Sequence, residues 1–195
     1  METTNKLTGK DLITVGIYSA MYAACIFLVG MFNAIPVFYP IFMFVGPLII
    51  GIPMMLYFIK IEKFGMLTIT GILLGAFFYV SGYTWICLVC IIPSAFLADV
   101  ALKIGGYKKF WSMAVSYMFL SFGLIAGPAN LIYAGEKYWD NIRESMGTQY
   151  AEQLARFMPP WMFPVGMVLI AIGAIGGAIL GRRMMNKHFK KAGIA

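Results

Sequence analysis

One histidine, His188, eight acidic residues and three cysteines are most of what this 195-residue chain offers for catalysis or metal binding. With a single histidine, neither a His-dependent catalytic dyad nor a multi-His metal site can form. No GxxxxGK[ST] run is present, so the chain is not expected to hydrolyse ATP itself. Only one acid, Asp99, falls inside an apolar run, too few for the carboxylate relay of a pump. Cys25, Cys87 and Cys90 all sit in apolar runs without metal-type spacing and read as small hydrophobes. No enzymatic activity, metal or cofactor is expected.

Apolar sequence is what the chain has in excess. Hydrophobic residues make up 61% and charged residues 12%, with 16 Phe and 15 Met. A soluble domain of this length buries only about 70% of its unfolded surface, too little to hide so much apolar side chain. The pattern predicts an all-α integral membrane protein with six transmembrane helices. After a polar leader, residues 1–10, the spans fall at about 11–31, 37–59, 66–80, 85–102, 111–133 and 161–180, and a basic tail covers 182–195. The first run is about 30 Å long as a helix, the thickness of the hydrocarbon core. The second contains Pro47, Gly51 and Pro53, which predicts a kinked or broken helix. The third and fourth are short for full crossings, so a re-entrant hairpin is the alternative there.

Charge orients the spans. Twelve of the 15 Lys and Arg lie in the leader, the 60–63 loop, the 103–109 loop and the tail, while three lie in 134–160. The positive-inside rule puts the first four segments, and both termini, in the cytoplasm. An even number of crossings must then separate Lys63 from Lys103, which favours six spans. The net charge of +7 follows from this topology and from anionic headgroups, with no need of nucleic acid. Asp99 is expected to pair with Lys103 at helical spacing, a proton-relay role being the alternative.

Two sets of residues could carry function. Ala20 and Ala24, with Ala23 beside them, make a flat stripe on the first span, suited either to the protein's own helices or to a partner helix. At the outer ends of the spans lie Asn33, Tyr39, Tyr83, Trp85, Asn130, Tyr133 and Trp161. They read either as an interfacial aromatic belt or as the wall of a pocket that orients a small, partly flat ligand. Glu136 and Arg156 are weaker candidates. Between the last two spans, Trp139, Ile142, Met146, Tyr150, Leu154 and Phe157 recur at helical spacing, predicting one amphipathic helix over Lys137–Phe157, ended by Pro159-Pro160. It would be a lid over a site or a helix resting on lipid.

Five short motifs, in this order, carry a resemblance: Lys6-Leu7-Thr8-Gly9-Lys10-Asp11-Leu12, Lys63-Phe64-Gly65-Met66, Leu97-Ala98-Asp99, Gly105-Gly106-Tyr107-Lys108 and the ending Lys187 to Ile194. The chain resembles the Trep_Strep family of small bacterial membrane proteins, which is similar to the substrate-binding S components of energy-coupling factor (ECF) transporters. The resemblance implies a multi-pass protein of the bacterial cell (cytoplasmic) membrane with an S-component fold. It would capture a vitamin-like or precursor solute from outside and deliver it through a shared coupling subunit driven by two separate ATPase subunits. Ala20 and Ala24 would then meet the coupling subunit. The alternatives are a solitary secondary transporter, or an accessory membrane protein without a ligand of its own.

Overall fold

A computed structural model describes residues 6–189. The first five residues of the expected leader and the last six of the expected basic tail lie outside the described residues. Among the described residues the chain is all-helical, and its α-helices are α1 (Gly9–Gly30), α2 (Phe38–Phe58), α3 (Met66–Val80), α4 (Ile86–Gly105), α5 (Phe110–Ser121), α6 (Ala126–Tyr133), α7 (Glu136–Met146), α8 (Thr148–Phe157) and α9 (Met162–Met184). Five helical stretches are long and apolar enough to cross a membrane, and α3 is a shorter apolar helix of 15 residues.

The apolar helices close into a ring. α1 packs against α2 and α3, α3 against α4, α4 against α5, α5 against α9, and α9 returns to α2. One end of the ring is basic. There the Lys63 ammonium donates to Asp11 Oδ2 at 2.7 Å and to the Lys6 carbonyl at 3.2 Å, joining the 60–63 loop to the start of α1. Asp11 also closes a capping box with Thr8, which begins the helix by satisfying backbone donors that no turn precedes. On the same end, Arg182 of α9 lies 4.3 Å over the Phe110 ring at the start of α5. At the opposite end the Tyr150 hydroxyl of α8 donates to the Asn33 carbonyl at 2.7 Å, and Trp139 Nε1 of α7 to the Leu131 carbonyl at 3.1 Å.

Asp99 does not pair with Lys103. Its Oδ2 accepts from the backbone N–H groups of Gly65 and Thr68, both at 2.9 Å, and from the Thr68 hydroxyl at 2.7 Å. Gly65, the residue that opens α3, sits at φ +99° and has no side chain with which to cap the helix. A fully buried carboxylate on the neighbouring helix does it instead. Lys103, one turn further along α4, is exposed and lies 5.0 Å over the Phe64 ring. Asp99→Ala leaves three donors without their acceptor, and is expected to destabilise the fold by about 3 kcal/mol. Asp99→Asn keeps one acceptor oxygen and should lose less. Melting curves of the two variants in mild detergent check the order.

Of the two forms expected for the second span, kinked or broken, the break does not occur. α2 runs unbroken through Pro47 and Pro53, and the Tyr117 hydroxyl of α5 donates to the Pro47 carbonyl at 2.8 Å. The interruption falls instead in the fifth stretch, where a 3-10 turn over Phe122–Ile125 separates α5 from α6. The α2–α9 contact is a glycine seam. A Cβ at Gly51 would lie 2.6 Å from the Gly177 carbonyl carbon, and one at Gly177 would lie 2.5 Å from the Pro47 oxygen. Backbone therefore meets backbone along this pair.

Candidate functional site

The end opposite the basic one holds a cavity of about 530 Å³. Its depth comes from the inward faces of the ring, including Ile26, Phe42, Met43 and Ile170. Its upper wall carries four tyrosines from four separate segments: Tyr39 of α2, Tyr83 of the loop after α3, Tyr138 of α7 and Tyr150 of α8. Gly127 makes room for one of them, since a Cβ there would sit 2.5 Å from the Tyr39 hydroxyl.

The segment between the last two spans covers the cavity. Tyr138, Ile142, Met146, Tyr150 and Leu154 all line it, so the apolar face of this segment is turned to the cavity. The single expected helix is two, parted at Gly147 with φ +89°, a backbone conformation that suits glycine and lets α8 fold back against α7. Leu154 and Met158 anchor α8 in a small buried cluster with Met43, Ile125, Leu131 and Ile170. Charge stays outside: Arg143 bonds Asp140 at 2.6 Å and reaches Glu136 at 3.5 Å on the exposed side of α7. Burial, and then the nearby Tyr83 and Tyr150, push the Tyr138 hydroxyl well above its ordinary ionisation range, and burial raises Tyr150 as well. Both remain neutral donors and acceptors at physiological pH.

The profile of a family described as hypothetical bacterial integral membrane proteins (Trep_Strep) matches residues 9–191. The chain belongs to the Trep_Strep family. No curated protein and no solved structure matches it. Family membership and the long apolar helices together make it a multi-pass integral membrane protein.

In this Trep_Strep member Asn33, Tyr39 and Tyr83 line the cavity. Asn130 lies behind its wall, fully buried. The Asn130 side-chain oxygen accepts from the Thr84 backbone N–H at 3.0 Å and the Thr84 hydroxyl at 2.6 Å, while its amide donates to the Ala126 carbonyl at 2.7 Å. It pins the loop that carries Tyr83. Trp85, Tyr133 and Trp161 are about two-thirds exposed and do not line the cavity. Each sits at or beside a helix end facing outward, the placement of an interfacial belt residue. Glu136 and Arg156 are exposed. Sequence reasoning missed the deep wall of Phe42, Met43 and Leu124, for which no local pattern exists.

Ala20 and Ala24 of α1 are exposed, whereas Ala23 turns inward and packs against the core. Gly16 extends the bare stripe, since a Cβ there would meet nothing within 4 Å. The three cysteines are free, and no group of three or more His, Cys, Asp or Glu gathers among the described residues.

Proposed function

We propose that this chain is the solute-binding subunit of an ATP-driven uptake transporter of the ECF type, set in the bacterial cytoplasmic membrane with six crossings. The covered cavity at one end of the helix ring is the observation that carries this reading. The basic segments at the other end favour a cytoplasmic location for that end, so the cavity would open to the outside. A small organic solute would enter, the α7–α8 cover would close on it, and the loaded protein would present it to a coupling subunit. The bare Ala20–Ala24 stripe of α1 suits that partner, because small residues let another helix approach closely where lipid supplies no hydrophobic drive. No chemistry is assigned to the chain itself; the driving force would come from ATP hydrolysis in two separate subunits. The lone intramembrane carboxylate, Asp99, is committed to capping α3, which disfavours a self-energised secondary transporter.

The test is a mild-detergent pull-down of the tagged protein from its own cells, read by mass spectrometry. Recovery of a membrane coupling subunit together with two ATPases supports the reading. Repeated recovery of the chain alone, under conditions that keep a known S-component complex together, overturns it.

A further inference from the structure

The cavity brings no formal charge of its own to a ligand. Not one Asp, Glu, Lys, Arg or His stands among its 26 lining residues. The charges of the cover, Glu136, Lys137, Asp140, Arg143 and Glu144 on α7 and Glu152 and Arg156 on α8, are all exposed, and Arg143 pairs with Asp140 and Glu136 there. A charged group moved from water into such a site would lose its hydration and find no counter-charge. Polar recognition is not absent, however. Tyr150 commits its hydroxyl to the Asn33 carbonyl, while the hydroxyls of Tyr39, Tyr83 and Tyr138 have no protein partner among the described residues. Aromatic walls with a few neutral donors and acceptors suit a planar molecule with polar edge atoms.

The position of the cavity adds a second constraint. Phe27 and Met31, which line it, lie seven residues beyond Ala20 and Ala24 and continue the exposed face of α1. The cavity thus borders the surface that meets lipid, and its rim on that side is apolar.

We infer that the site takes an uncharged, flat, largely apolar molecule that hydrogen-bonds at its edge, and that it rejects phosphate, carboxylate and ammonium analogues of the same shape. The inference names the solute class for the transporter reading and rests on the cavity being its binding site. A volume of about 530 Å³ accommodates two or three fused or linked rings.

A pair of probes that share one aromatic skeleton tests it: N-phenyl-1-naphthylamine, which is neutral, and its 8-sulfonate, an anion. Each is titrated by fluorescence into the purified full chain in lauryl maltoside, with partition into protein-free micelles subtracted. A saturable one-to-one site for the amine is expected, with the sulfonate at least about tenfold weaker, equivalent to about 1.4 kcal/mol. Met146→Lys, at a lining position that is 47% exposed and so tolerates the longer side chain, places an ammonium at the wall and should narrow or reverse that ratio. Sulfonate binding as tight as the amine, no saturable site for the amine, or a ratio unmoved by the lysine would each overturn the inference. The pull-down fails independently. Loss of the ATPase partners with amine preference intact sinks the transporter reading alone, and the reverse result sinks the solute class alone.

Discussion

Replacing Ala20 and Ala24 together by leucine should leave a folded protein with an intact cavity that no longer co-purifies with a coupling subunit. The expectation starts from burial. Only 22% of the spanning stretch of α1 is buried within the chain, against 33% to 61% for the other four long stretches. The two alanines face away from the core, so added methyl groups meet lipid, and lipid receives leucine as readily as alanine. A partner helix resting on the same stripe would be held off at both contacts. Overpacking of a fitted interface costs about 1 to 3 kcal/mol per site, enough for a drop of tenfold or more in recovered partner. Binding of N-phenyl-1-naphthylamine should be unchanged, because neither alanine lines the cavity. Unreduced co-purification would place the proposed coupling subunit on another face. Ala23→Leu is the instructive contrast, since that side chain points into the core and the variant should lose stability first.

The second large effect is a loss of fold. Gly177→Leu asks α9 to accept a side chain where a Cβ alone would stand 2.5 Å from the Pro47 oxygen and 2.7 Å from the Leu48 oxygen. Those are backbone atoms of α2 and cannot rotate aside, so the two helices must part along their length. A penalty of about 3 kcal/mol or more is expected, at the upper end for overpacked cores. The measurement is the monodisperse fraction on size exclusion after extraction, together with the melting temperature. Gly16→Leu is the matched control, as its Cβ meets nothing within 4 Å and the variant should extract like the parent. Equal behaviour of the two variants would mean that the seam is not closed in the membrane.

Much of the helical framework is legible from apolar run length alone. The runs at 37–59, 66–80 and 161–180 correspond to Phe38–Phe58, Met66–Val80 and Met162–Met184, because in lipid a continuous apolar stretch has to satisfy its own backbone as a helix. The irregularity of the fifth run is legible in Gly127-Pro128: Pro128 has no N–H to give to the Leu124 carbonyl four residues back, and the 3-10 turn over Phe122–Ile125 falls there. The partner of Asp99 was hidden, since its donors lie 31 and 34 residues away and only helix packing brings them together. The pocket was half visible. Aromatic residues mark the correct end of the bundle, but residue type does not say where a ring points, and Tyr83 and Trp85, two positions apart, face opposite ways. The cover was the most legible part, because an amphipathic period survives in sequence even where Gly147 divides it.

The glycine seam also has a meaning in the order of synthesis. The ring is closed by its second helix and its last, so a chain leaving the ribosome holds α1 to α5 in the bilayer with the α2 side of the assembly unmatched. During that interval the backbone around Gly51 lacks its Gly177 partner, and the cavity lacks Ile170 of α9 and its α7–α8 cover. Closure waits for α9, and contacts between residues this far apart in sequence are the slow ones to form. The covered cavity is therefore among the last parts of the molecule to form.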